Sequence, residues 1–319
     1  LFTLGSKPAH KQITCLYFDI TNLCAHITFH GSDVVPSSPE KAFFHVIPVP
    51  YEKTVSYRGG TRNGPQAILE ASCQLELFDG RSIPAEHGIS TKAPVDCQGT
   101  DKVALARITA AVESSLQYPC VPVILGGEHT ITLATARALK KKYAEFGVIQ
   151  FDAHTDLRNS YQGSNLSHAC VMKRLYDEDI PFLQIGTRSY SYNEHLFRLE
   201  HKISYANAEA IFREGINTVR LPANFPEKIF INFDIDCFDP SLIPATGTPV
   251  PGGLTWYQVI WLMEKIFRER VCIGFDIVEL APLETLHSSS FTSAQLVYNM
   301  MGFLTHSDIN QKFWQSTQT

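Results

Sequence analysis

Three apolar runs of strand length each end in histidine or aspartate, and that repetition restricts the fold more than any other feature of this chain. Gly147-Val148-Ile149-Gln150 leads into Phe151-Asp152-Ala153-His154-Thr155-Asp156. Pro122-Val123-Ile124-Leu125 leads into Gly126-Gly127-Glu128-His129, and Ile229-Phe230-Ile231-Asn232-Phe233 leads into Asp234-Ile235-Asp236. Short continuous apolar runs read as buried strands of a parallel sheet. In open α/β sheets, ligands sit outside the carboxyl ends of such strands. If the backbone stays extended, Asp152, His154 and Asp156 project to one face, because strand side chains repeat every two residues. Imidazole mixed with carboxylate suits Mn, Fe, Co, Ni or Zn, not calcium. The candidate ligand set is therefore His129, Asp152, His154, Asp156, Asp234 and Asp236. Four carboxylates crowded at one edge repel and are driven to protonate. Two divalent cations would cancel the four charges, so a two-metal centre is the simplest reading.

The rest of the chain has the alternation that such a sheet needs. Strands are expected at 43–49, 121–126, 147–152, 181–186, near 203, 229–234 and 272–276. Helices are expected at 65–78, 101–117, 130–143, 167–177, 193–200, 207–213, 255–268 and 291–304, with Val103, Ile108, Ala111 and Leu116 buried in the second. This order predicts an α/β fold, a three-layer α/β/α sandwich with a mainly parallel sheet of about eight strands. Residues 41–319 read as a single catalytic domain, without linker or repeat, and 1–40 as an N-terminal extension packed on it. Within that extension, 13–18 and 25–30 have the composition of short edge strands, and His10, His26 and His30 read as surface residues.

Composition excludes several function classes. Hydrophobic residues make up 44% and charged residues 18%, the balance of a soluble globular protein. A net charge of −5, with no basic block beyond Lys140-Lys141-Lys142, argues against nucleic acid as a partner. No run of 18 apolar residues is present, so no membrane is expected, and no secretory pattern opens the sequence. The eight cysteines form no C-x-x-C pair and read as free thiols of a reducing cytoplasm, with Cys237 used for packing.

GGEHTIT (126–132), FDAHTD (151–156), SHAC (167–170), FDIDCFDP (233–240), TGTPVPGGL (246–254) and DIVELAP (276–282) occur together with SYRGGTRNGP (56–65). In that order and spacing they resemble the ureohydrolase family, whose main members are arginases and agmatinases. The similarity covers roughly residues 42–305. It implies an arginase-like fold and two manganese ions bridged by a hydroxide that attacks a guanidinium carbon; Fe, Co or Ni would also suit the ligands. One ion would take His129, Asp152, Asp156 and Asp234, and the other His154, Asp152, Asp234 and Asp236, with Asp152 and Asp234 bridging. Asp156 would carry a proton from the nucleophile to the departing amine, and His168 matches the family's proton-shuttle histidine. Glu279 matches its guanidinium-binding glutamate, with Thr246, Gly247 and Ser164 lining the substrate pocket and Asp276 structural. Arg58 and Arg62 are expected in structural salt bridges. The family commonly forms trimers or hexamers, so a homo-oligomer is expected.

The substrate implied is a small cationic guanidino compound. Leu166 stands where arginases carry an asparagine two residues before the histidine, and Gly186-Thr187-Arg188-Ser189-Tyr190-Ser191-Tyr192 has no aspartate to meet an ammonium. Both departures disfavour arginine, and the surrounding wording is similar to agmatinases. The expected reaction is agmatine plus water giving putrescine and urea, a step of polyamine biosynthesis. Guanidinobutyrate, guanidinopropionate and guanidine stay open as substrates. A catalytically silent binding or regulatory member is the alternative from a different class. A single-zinc amide hydrolase of the related deacetylase fold is disfavoured by the second set of ligands.

Overall fold

The computed structural model describes residues 27–317. Eight strands form one sheet: β1 (Phe44–Val49), β2 (Ile89–Thr91), β3 (Val121–Gly126), β4 (Gly147–Phe151), β5 (Phe182–Ile185), β6 (Ser204–Ala206), β7 (Lys228–Asp234) and β8 (Val271–Val278). Their spatial order is β2-β1-β3-β8-β7-β4-β5-β6, and every pairing is parallel. The strands are mostly apolar because both faces are covered. Val123 and Ile231 point into one core and Ile124 and Phe230 into the other, as period-two side chains must.

Helices α1 (Gly64–Ser72), α7 (Trp256–Glu269) and α8 (Ser288–His306) pack residues such as Ile68, Leu262 and Val297 into the first core. The second core receives Ile108 from α2 (Asp101–Ser115), Leu133 from α3 (Ile131–Lys142) and Leu175 from α4 (Val171–Asp177). The remaining helices are α5 (Tyr192–Glu200), α6 (Ala208–Glu214) and α9 (Asp308–Ser316). β3 and β4 follow each other in sequence but lie apart, with β8 and β7 between them. The loops leaving β3, β8, β7 and β4 therefore gather at one edge, where a doubly wound sheet opens its crevice.

Several expectations need correction. The helix expected over 65–78 stops at Ser72, and 167–177 divides into a 3₁₀ turn, His168–Cys170, followed by α4. β2 and α9 were not foreseen; three residues are too few for β2 to reveal a period. Val103 is exposed, since α2 buries Ala104, Leu105, Ile108 and Val112. Within the described residues, 27–30 form no strand; His10, His26 and the segment 13–18 lie outside them. No helix among the described residues is long and apolar enough to cross a membrane. The six described cysteines are free, and Cys237 is fully buried.

His30 is not the surface residue its loose spacing suggested. It is buried, edge-on to Phe29 and Tyr298 with ring centroids at 4.9 and 4.3 Å, and neither ring nitrogen has a hydrogen-bond partner among the described residues. Burial pushes its pKa down to about 4. The fold prefers the neutral ring, so this contribution is complete above the unfolded value near pH 6.5 and is lost as pH falls toward 4. Urea midpoints of metal-free protein should therefore drop between pH 7 and pH 5 by more in wild type than in His30→Phe. The difference should be on the order of 1–2 kcal/mol. Equal drops would show that His30 does not titrate between these states.

Candidate metal centre

Each expected ligand follows one of the four central strands or the loop after it. His129 comes after β3, Asp152, His154 and Asp156 after β4, and Asp234 and Asp236 at the end of β7. β4 stops at Phe151, and Asp156 has a left-handed backbone with φ of 50°, so the ligands do not converge along one extended strand. The loop curls instead, held by Glu194, whose Oε1 accepts from the Thr155 hydroxyl (2.9 Å) and the Leu157 amide (3.1 Å).

Donor atoms of His129, Asp152 and Asp234 all lie within 4.8 Å of one another, and so do those of Asp152, His154 and Asp236. Asp152 belongs to both clusters. Asp156 Oδ2 stands 2.8 Å from His129 Nδ1. One oxygen of each remaining carboxylate is tied to the backbone. Asp152 Oδ1 accepts from the His154 amide (2.6 Å), Asp234 Oδ1 from that of Asp236 (2.9 Å), and Asp236 Oδ1 from that of Ala153 (2.9 Å). Their other oxygens face the two imidazoles, 3.3 Å (Asp152) and 3.4 Å (Asp234) from His129 Nδ1 and 2.9 Å (Asp236) from His154 Nδ1.

These donors fit a pair of divalent cations. Asn232 Nδ2 donates to Asp276 (2.8 Å), so its Oδ1 accepts from His129 Nε2–H at 2.8 Å. In neutral His129 the lone pair is thereby placed on Nδ1, which is buried and has no well-aligned hydrogen-bond partner among the described residues. Brought this close, the acids repel. Burial, then Asp236 and Asp152, lifts Asp234 well above the carboxylate range. Burial and the Asp152 charge lift Asp156 to about 6. Burial opposes charge on His154, but Asp236 and Asp152 outweigh it and raise its pKa to about 11. Such a set exchanges its protons for metal as the cations bind.

Above the ligands lies a cavity of about 380 Å³. His129, His154, Asp156, Asp234 and Asp236 reach it, as do His168 and Glu279, while Asp152 is fully buried and is not among its lining residues. Glu279 follows β8 with φ of 65°, an unusual backbone for a non-glycine residue. Its Oε1 accepts from the His129 amide at 2.7 Å. Burial, then the Glu128 charge, raises its pKa to about 8.

Gly247 and Thr248 line the cavity, but Thr246 and Ser164 do not. Thr246 is buried and bridged to Leu280, and Ser164 closes a tight turn with Tyr161. Arg62 pairs with Glu52 at 2.9 Å, whereas Arg58 borders the cavity. Asp276 is structural: it accepts from Asn232 and from the Thr132 hydroxyl (2.7 Å).

Sequence reasoning overlooked the residues that hold the ligands. Asn232 and Gln150 were visible as polar breaks in apolar strands, and Gln150 donates to Asp152 Oδ2 at 2.7 Å. Glu194 was legible as the fourth residue of a Ser191-x-x-Glu194 capping box. Arg188 gave no such signal. Its guanidinium donates to the carbonyls of Asp236 (2.8 Å), Phe238 (3.2 Å) and Val250 (2.7 Å), fastening the loop after β7.

Comparison with known proteins agrees with this geometry. A model described as "Arginase family" matches residues 42–302. The N(1)-aminopropylagmatine ureohydrolase of Synechocystis is 36% identical over 287 residues, covering 86% of this chain and 93% of its own. The agmatinase of Pyrococcus horikoshii is 32% identical over 267 residues, 82% of this chain and 92% of its own. The solved agmatine ureohydrolase of Thermoplasma volcanium superposes with a TM-score of 0.79 at 28% identity, covering 93% of this chain and 97% of that one. The shared fold, the family match and the paired His/Asp clusters agree: the chain belongs to the arginase family of hydrolases, which act on C–N bonds.

Proposed function

We propose that this chain hydrolyses agmatine to putrescine and urea, with two manganese ions held by the six His and Asp ligands. The observation that carries this reading is Asp152, common to both ligand clusters beneath a cavity that Glu279 and His168 border. The bound cations would supply a nucleophile at neutral pH by lowering the pKa of water. Everything else falls to the chain. A guanidinium is planar and cationic, and a carboxylate grips its outer N–H groups through paired charge-assisted bonds. Burial, then the Glu128 charge, pushes the Glu279 carboxyl up to about 8, and a cation arriving beside it favours the carboxylate form. Asp156 would accept a proton at its carboxylate as the bond is made and pass it to the departing amine, and His168 would relay a further proton between water and that amine, so that both residues end as they began. Water exclusion follows from the depth of the ligands, which are at most 7% exposed apart from His154.

The loop sequences support agmatine over arginine, as no acid stands ready for an α-ammonium in 186–192. A second reading, N(1)-aminopropylagmatine, is supported by the name of the Synechocystis relative. The test is urea release from the manganese-loaded protein with agmatine, N(1)-aminopropylagmatine, guanidinobutyrate, guanidinopropionate, arginine and guanidine side by side. Highest kcat/KM on agmatine supports the first reading, and on the aminopropyl compound the second. No urea from any would move the reading to a silent family member. Glu279→Gln keeps the shape and removes the charge. It should lower kcat/KM on the best substrate about 10²-fold, the range expected for one charge-assisted contact of about 3 kcal/mol. Normal turnover would remove Glu279 from the guanidinium contact.

A further inference from the structure

His168 is held by a hydrogen-bonded chain that runs through Thr54 to Glu128, the residue before His129. Its Nδ1 is 2.8 Å from Thr54 Oγ1 and 3.4 Å from Ser167 Oγ, and its Nε2 is 2.8 Å from Ser56 Oγ. Thr54 Oγ1 also receives the His168 amide at 3.1 Å and reaches Glu128 Oε1 at 2.8 Å. Glu128 is fully buried. Its Oε2 accepts the amides of Lys53 and of Thr54 (2.6 Å), and its Oε1 also accepts the Thr130 hydroxyl (2.6 Å).

Counting hydrogens assigns the tautomer. A hydroxyl owns one hydrogen and two lone pairs, and an ionised carboxylate only accepts. With donors converging on both Glu128 oxygens, the Thr54 hydrogen points to Glu128. One Thr54 lone pair takes the His168 amide, and the other faces Nδ1, so Nδ1 must carry a hydrogen. A neutral imidazole has one N–H, which leaves Nε2 with the lone pair and makes Ser56 its donor. Ser56 and His168 both border the cavity.

We infer that Glu128 and Thr54 are positioning residues that hold His168 in the Nδ1–H tautomer and leave Nε2 as its basic nitrogen toward the cavity. Nε2 can then take up a proton and release it to a leaving amine, with the ring beginning and ending neutral. The kinetic consequence rests on the proposed hydrolase reading; the tautomer itself does not. A carboxylate acting through a hydroxyl does here what a directly bonded aspartate does in a serine-protease triad, where losing the correct tautomer is costly.

Two measurements test this. The first is imidazole-nitrogen NMR of the protein loaded with diamagnetic zinc, with the His168 signals identified by their loss in His168→Asn. Wild type should show Nδ1 protonated and Nε2 unprotonated. The second is kinetics of Thr54→Val, which keeps the shape and deletes the hydroxyl. It should lower kcat about 10- to 100-fold with KM within about threefold and metal content unchanged, and Thr54→Ser should recover most of the loss. An Nε2–H pattern in wild type would overturn the inference. So would a Thr54→Val enzyme with wild-type kcat, or one whose loss Thr54→Ser fails to recover. Absence of urea from wild type with every guanidine would refute the hydrolase reading alone, and the NMR result would still decide the tautomer.

Discussion

Replacing Asp152 with alanine is expected to leave the protein with fewer than two bound cations and to cut urea release at least about 10³-fold. Bound cations supply several kcal/mol of transition-state stabilisation, and each factor of ten in rate is about 1.4 kcal/mol. Asp152 matters most because it is the one residue common to both clusters. Its position is prepared on both sides, by Gln150 at 2.7 Å on one oxygen and the His154 amide at 2.6 Å on the other. Burial opposes its charge, yet His129 and His154 prevail and keep it ionised below the usual carboxylate range. Manganese is expected to raise the melting temperature of wild type, and the variant should lose that rise, since a ligand stabilises only the state that binds it. Metal analysis and melting curves with and without manganese check both points. Two tightly held cations in Asp152→Ala would mean that it is not a shared ligand.

Gly127→Ala should abolish folding or lower the melting temperature by on the order of 10 °C. A Cβ at Gly127 would lie 2.0 Å from the Tyr51 carbonyl oxygen and 2.9 Å from its carbon, which are backbone atoms with nowhere to go. Gly127 also sits in a knot of main-chain bonds, its amide on Val49 (2.9 Å) and its carbonyl receiving Glu279 (2.8 Å). Pushing that loop aside would cost more than the usual 1–3 kcal/mol of overpacking and would displace both His129 and Glu279. Gly80→Ala is the contrast: nothing among the described residues lies within 4 Å, and only its φ of +98° is strained, so about 1 kcal/mol is expected. Similar melting temperatures for the two variants would contradict the close-approach argument.

Much of this was legible in the sequence for a physical reason. Buried parallel strands write themselves as unbroken apolar runs, and the crevice at their carboxyl ends collects the polar residues that follow. That is why His129, Asp152, Asp234 and Glu279 were readable from their place after β3, β4, β7 and β8. What could not be read is held by non-local contacts. The 3₁₀ turn at His168 depends on Thr54, more than a hundred residues earlier, and Arg188 works through carbonyls that carry no side-chain signature. His30 and Val103 were misplaced because a lone residue in a loop, or a one-position shift around a helix, leaves the hydrophobic pattern nearly unchanged. Thr246 and Ser164 sit in loops whose course is set by pairing with Leu280 and Tyr161, which motif similarity does not specify.

The central claim is that two cations, held through Asp152, make this site a guanidine hydrolase. The most direct test strips the protein with a chelator and titrates manganese back, following bound metal and urea release from agmatine in the same samples. Stripped protein should release no urea, and full activity should return only as binding approaches two ions per chain. Full turnover by the stripped protein, or at one ion per chain, would contradict it.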